Sequence, residues 1–154
     1  YPRIVQKLES AYEPFWQRVS KGLRPVPIAV GDPTENPAVL CSQDWRPDLG
    51  NPPWNFRSIK GIPKVTHPWL VNILQAGEYR FTLRQFPKEA DENIIGVRAK
   101  IKIAGIEKAV PIPKGSKSVT FNLKLPAGIT ELWTYIFDQK EKVGGAYFTE
   151  VFKL

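Results

Sequence analysis

Cys41 and His67 each occur once in the chain, so nucleophilic or metal chemistry would have to be built around these two residues. With no second histidine or cysteine cluster, the ligand sets that hold zinc cannot be assembled. A serine or cysteine triad would have to use His67, which precedes Pro68 in a stretch that reads as a loop, a poor place to orient an imidazole. Glycoside hydrolysis sets two carboxylates across a cleft, whereas Glu89, Asp91 and Glu92 crowd one loop and read as solvated charge. No glycine-rich turn leads from a strand into a helix, which argues against the usual nucleotide sites. The reactive residues point away from a catalytic centre in this chain.

Two further groups could bind rather than react. Trp45 and Trp54 share a loop with Asp44, Asn51 and Asn55. An indole face beside amide and carboxylate groups suits a sugar ring, so Asp44, Trp45, Trp54 and Asn55 are candidates for a sugar- or cleft-facing site. The plainer alternative, which is preferred, has both indoles filling the gap between helix and sheet. The second group is basic. Arg98, Lys100 and Lys102 alternate along one strand face, about 6.6 Å apart, and Arg80 and Arg84 alternate likewise on another. From Arg98 to Lys124 there are seven basic residues against one acid, Glu107. Arg80, Arg84, Arg98, Lys100 and Lys102 are therefore candidates for an anion-binding rail, such as a sulfated glycan would use. Again the preferred reading is plainer: a solvated face that discourages edge pairing.

Those residues must be positioned by short elements. Fifteen prolines and eleven glycines among 154 residues suit frequent turns and an antiparallel β protein. From Ile4 to Leu23 apolar residues recur at three- and four-residue steps, which predicts an amphipathic helix, kinked or split at Pro14 and ended near Gly22. Tyr12, Phe15 and Trp16 on its stripe are docking residues, for this sheet or for another domain. Short strands are expected at Val26–Val30 and Ala38–Ser42, and an ordered loop from Asp44 to Ile59. Beyond Trp69 the period becomes two. Trp69, Val71 and Ile73 before Ala76-Gly77, and Tyr79, Phe81 and Leu83 after it, read as a β-hairpin. Alternating strands follow at Val97–Ile103 and Val119–Leu125, while 129–137 and 146–154 are apolar on both faces, as in central or doubly covered strands. The expected architecture is mainly β, an antiparallel sheet or β-sandwich with one N-terminal amphipathic helix. Residues 1–23 form the helix and 24–154 the β-rich domain. The expected core is Trp69, Val71, Tyr79, Phe81, Leu83, Ala99, Ile101, Val119, Phe121 and Leu123.

The net charge of +7 favours anionic partners without selecting one. Nucleic acid is not expected, because the basic residues look spread along the chain rather than interleaved with aromatics on one platform. No apolar run reaches the length of a membrane span. The chain begins Tyr1-Pro2 and contains no methionine, so it reads as a piece of a longer product.

Three stretches in order resemble the C-terminal subdomain of bacterial arylsulfatase-type sulfatases. They are Tyr12-Glu13-x-x-Trp16; Asn36-Pro37-Ala38-Val39-Leu40 with Asp44-Trp45 and Pro53-Trp54-Asn55; and Trp69-x-Val71 with the run from Gly77 to Ala90. That run, Gly77-Glu78-Tyr79-Arg80-Phe81-Thr82-Leu83-Arg84-Gln85-Phe86-Pro87-Lys88-Glu89-Ala90, is similar to G-x-Y-x-F-x-L-R-R-W-P-x-E-A, with Gln85-Phe86 in place of Arg-Trp. The closing Gly145-Ala146-Tyr147-Phe148 also fits. The resemblance implies a sulfatase parent, periplasmic or secreted, whose catalytic domain packs on this one in cis. It implies formylglycine and calcium in that catalytic domain and no cofactor here. Formylglycine arises from the first residue of Cys/Ser-x-Pro-x-Arg, and Cys41-Ser42-Gln43-Asp44-Trp45 lacks both the Pro and the Arg. The expected function is a non-catalytic accessory domain that packs on the catalytic domain and shapes its cleft. An independent carbohydrate- or polyanion-binding module is the alternative.

Overall fold

The computed structural model describes residues 1–53, 55–60 and 65–154, so Trp54 lies outside the described residues. Helix α1 covers Pro2–Ser20 without a split at Pro14, the stronger of the two disturbances expected there. Proline removes one backbone donor, but side chains bridge the neighbouring turns: Ser10 Oγ donates to the Gln6 carbonyl at 2.8 Å and Gln17 to Glu13 at 3.0 Å. None of its residues is buried.

The strands follow as β1 (Ile28–Val30), β2 (Ala38–Cys41), β3 (Trp69–Ile73), β4 (Gly77–Arg84), β5 (Arg98–Ile103), β6 (Ile106–Pro111), β7 (Val119–Leu125), β8 (Gly128–Phe137), β9 (Val143–Gly144) and β10 (Phe148–Lys153). A single helical turn, α2 (Phe56–Ile59), lies between β2 and β3. One sheet runs β1-β3-β8-β5-β6 with β9 beside β8, and the other runs β2-β10-β4-β7. The pairs are antiparallel except β1 with β3. A parallel pair needs a long crossover, and here the chain between them passes through β2 in the other sheet. The mainly antiparallel, sandwich-like architecture with one N-terminal helix is what the alternation predicts.

Every residue of the expected core is buried, and the two inner faces form one cluster. Strict alternation does this, since each strand turns every second side chain inward. Trp69 joins the sheets directly: its indole N–H donates to the Cys41 carbonyl at 2.7 Å.

The expected hairpin at Ala76-Gly77 is not one. β3 belongs to the six-stranded sheet and β4 to the four-stranded sheet, so residues 74–76 arch from one to the other. The Leu74 amide bonds the Val30 carbonyl at 3.0 Å, and the Tyr79 hydroxyl donates to the Gln75 carbonyl at 2.6 Å. Gly31 makes room for that tyrosine: its φ is +83° and a Cβ there would lie 2.3 Å from the Tyr79 hydroxyl. Alternation tells which side chains are buried, but it does not name the neighbouring strand. A two-residue turn is found instead at Ala104-Gly105, both at positive φ, between β5 and β6.

Candidate functional site

The apolar stripe of α1 stands free of the sandwich. Tyr12, Phe15 and Trp16 are 54%, 49% and 42% exposed. They cluster with one another, the rings of Tyr12 and Trp16 stacking at 6.1 Å and Tyr12 lying 6.3 Å from Phe15, and Arg18 of the same helix lies over Phe15 at 5.9 Å. Of the two docking partners expected, this sheet is not the one used.

The loop after β2 does not offer an indole to a sugar. Trp45 is 2% exposed. It lies edge-on to Trp69 at 5.7 Å and to His67 at 5.8 Å, and tilted against Tyr147 at 5.5 Å. The proline-stiffened loop folds its indole inward, onto the sandwich and not under the helix. Asp44 and Asn55 remain on the surface, but both serve the backbone. Asp44 accepts from the Cys41 amide at 3.1 Å. Asn55 accepts from the amide and hydroxyl of Ser58 at 2.8 and 2.9 Å, capping α2. Asn55 also borders a hollow of about 200 Å³ walled by Cys41, Ser42, Tyr147 and Phe148.

The expected rail is divided. Arg80 and Arg84 lie on β4, while Arg98, Lys100 and Lys102 lie on β5. Their strand neighbours Phe81, Leu83, Ala99 and Ile101 are buried between the sheets, so the two basic sets sit on opposite outer faces of the molecule. One polyanion chain cannot lie along both. Several of these cations are also occupied. Arg98 pairs with Glu141 and covers the Phe137 ring at 3.8 Å. Lys100 pairs with Glu107 at 3.0 Å and lies over Tyr135 at 4.7 Å. Arg80 lies over Phe152 at 4.9 Å.

Strand pairing brings together something the chain order hides. β5 lies against β8 with Arg98 opposite Phe137, Lys100 opposite Tyr135 and Lys102 opposite Trp133. The expectation that basic and aromatic residues are not interleaved is therefore wrong on this face, because the two rows lie some thirty residues apart along the chain (98–102 and 133–137) and meet only through the sheet. Trp133 and Tyr135 are nearly parallel at 6.1 Å, and Tyr135 and Phe137 are 6.3 Å apart. The Trp133 indole donates to Glu131 at 3.0 Å, and Glu131 accepts from Arg46 at 2.6 Å. The hydrogen bonds that Arg46 donates to Asp48 and then to Glu131 hold its guanidinium above its ordinary range. Burial pushes the Tyr135 phenol up, with Lys100 pulling the other way. The sequence reading passed over Trp133, Tyr135, Phe137, Arg46 and Glu131. The available signal is the aromatic at every second position of 133–137, within a stretch whose apolar residues on both faces suggest a central or doubly covered strand. Glu141 pairs with Arg98, Glu107 with Lys100, and Asp48 and Glu131 with Arg46, so much of the positive charge of this face is offset.

Burial, and then the bond with Asp44, push the Cys41 thiol up, so it stays protonated at neutral pH and is a poor nucleophile. Among the described residues no group of three His, Cys, Asp or Glu side chains could hold a metal ion. The calcium and formylglycine that the sulfatase resemblance implies belong to a catalytic domain, and the residues described here do not fit them. Gln85 and Phe86, where the family pattern has Arg-Trp, are buried. Gln85 donates to the Ile59 carbonyl at 2.9 Å and accepts from the Ile95 amide at 2.7 Å, tying α2 and the 91–97 loop to the end of β4.

No family model and no curated protein matches this chain. Among solved structures, a ruminal GH26 endo-beta-1,4-mannanase aligns with a TM-score of 0.48 and 17% identity, over 77% of this chain and 26% of that one. The chain thus spans about a quarter of that enzyme's length, and a likeness this slight carries no argument about function.

Proposed function

We propose that this chain is a non-catalytic accessory domain of a sulfatase-type sulfuric ester hydrolase, joined to the catalytic domain through α1. The observation that carries this reading is the open stripe of α1: a 19-residue amphipathic helix with three aromatic residues, none of whose residues is buried. A water-soluble helix of this length draws most of its stability from packing, so an apolar face left bare fits a partner surface. The ordered motifs from Tyr12 to Phe148 support a sulfatase parent, and with it a periplasmic or secreted address. The alternative, an independent carbohydrate- or polyanion-binding module, calls for an exposed Trp45 or Trp54; Trp45 is buried and Trp54 lies outside the described residues.

The test uses the catalytic portion of the parent gene, expressed separately and mixed with this chain. The pair is expected to associate and to hydrolyse an aryl sulfate, while this chain alone has no turnover with or without calcium. Tyr12→Glu with Trp16→Glu should weaken association at least about tenfold, since burying the half of each side chain that is still exposed is worth roughly 0.7–1.5 kcal/mol. The melting of the sandwich should be unchanged. Hydrolysis by this chain alone, or normal association of the double variant, overturns the reading.

A second reading rests on the outer face of the six-stranded sheet, where Arg98, Lys100 and Lys102 flank Phe137, Tyr135 and Trp133. Aromatic faces beside cations suit an acidic glycan. The three glutamates woven through that face weigh against a strong site.

A further inference from the structure

Arg84 differs from the other arginines on the sheet faces. Its side chain is only 17% exposed, yet its Nε has no hydrogen-bond partner. No described residue accepts a hydrogen bond from its guanidinium. The nearest acid among the described residues, Glu150, lies 3.9 Å from Nε, beyond hydrogen-bond range. By contrast Arg46 bonds two acids, Arg98 has an acid and a ring, and Arg80 has a ring. The Nε is closed off from solvent, so an acceptor supplied from outside would engage the Nη groups, and a half-buried cation with unengaged donors gains most from a charged acceptor.

The surroundings define what could supply it. Register places Cys41, Phe148 and Arg84 in one row across β2, β10 and β4. Their chain neighbours Leu40, Thr149 and Leu83 face the core, so this row faces outward. Above it runs a groove of about 440 Å³, walled by Val39, Cys41, Arg84, Pro87, Phe148 and Glu150 among others. That volume lies within the range of small-molecule sites. The walls are mostly apolar: a phenyl ring, proline and valine. The thiol of Cys41 is held neutral and repels no anion. Lys88 stands at the rim with Glu89.

We propose that this groove binds an oxyanion carried on a small ring, with a uronic acid unit as the fitting class. The planar fork of Arg84 takes the carboxylate, the geometry in which guanidinium groups discriminate best. Phe148 and Pro87 take the C–H face of the ring. Glu150 competes for the same guanidinium and keeps the affinity modest. The site is separate from α1 and does not depend on the accessory-domain reading.

The test is amide-shift mapping by NMR on the full 154-residue chain in about 0.15 M salt, where long-range attraction is screened. Glucuronate is expected to give saturable shifts at Phe148 and Lys88. Glucose, which lacks the anion, and inorganic sulfate, which lacks the ring, should each bind at least about tenfold more weakly, a difference of about 1.4 kcal/mol. Arg84→Met keeps the stem and should abolish binding. Arg84→Lys keeps the charge without the fork and should weaken it about tenfold or more. Glu150→Gln removes the competitor and should strengthen it several-fold, which a purely structural role for Arg84 would not produce. Arg80→Met, on the same face outside the groove, should change nothing. The proposal fails if glucuronate gives no saturable shift by about 50 mM, far above the millimolar range of weak small-ligand binding. It also fails if sulfate alone does as well, or if Glu150→Gln weakens binding.

Discussion

Replacing Tyr147 by phenylalanine should make this protein more stable. Tyr147 is fully buried against Trp45, and its hydroxyl has no hydrogen-bond partner. A buried hydroxyl left unpaired costs about 1–3 kcal/mol, and phenylalanine keeps the ring while removing that group. A net gain of about 1 kcal/mol is expected at pH 7. For a chain of this size that raises the melting midpoint by about 2–4 °C. In urea the midpoint should rise with the slope unchanged, because the exposed surface is the same. A second effect appears at alkaline pH. Burial raises the Tyr147 phenol above its ordinary value near 10. On raising the pH the unfolded chain therefore loses this proton first. The contribution of Tyr147 is intact below about pH 10 and is lost as the pH climbs toward the folded value, by at most about 1.4 kcal/mol per pH unit. The phenylalanine variant lacks this loss, so its advantage over the parent should widen between pH 9 and about pH 11. Part of the alkaline slope stays in the variant, because burial also raises the Tyr79 and Tyr135 phenols. Urea titrations at the two pH values measure both effects. A variant less stable than the parent by more than about 0.5 kcal/mol at pH 7 would show that the hydroxyl has a partner after all. Parallel pH dependences would refute the titration argument.

Gly145→Ala should be destabilising, because its Cβ would lie 2.8 and 3.0 Å from the Trp45 ring and 3.1 Å from the Thr66 hydroxyl. Overpacking of this kind costs about 1–3 kcal/mol, read as a lower thermal midpoint, and a midpoint equal to the parent's would show that Trp45 can move aside. Heparin retention should be generic attraction to a +7 chain, lost near 0.15 M salt where charges beyond about 8–10 Å are screened. Lys100→Glu with Lys102→Glu should then reduce retention no more than Lys140→Glu with Lys142→Glu. A loss confined to the first pair would restore the outer face of β5 as a specific site.

The alternation of 69–73, 79–83, 99–103 and 119–125 identified the buried face of every one of those strands. It could do so because a residue's side of a sheet follows from its own position in the pleat. The helical spacing of 4–23 located α1 for the same kind of reason, and residue types alone removed Cys41 from sulfatase chemistry. Partnership between segments is different. Whether β3 pairs with β4 or arches away from it depends on which sheet each one completes, and Trp69, Val71, Tyr79 and Phe81 are buried either way. The basic residues at 80 and 84 and those at 98–102 look like one feature along the chain, yet the sandwich turns them to opposite sides. Lys100 and Tyr135, far apart in the chain, become neighbours across β5 and β8. Trp45 reads as a surface indole or as a helix contact, and only the inward course of its loop puts it against Trp69 and Tyr147. Local periodicity decided which side chains are inside. Tertiary pairing decided which of them meet, because strand neighbours are chosen by how the whole core closes.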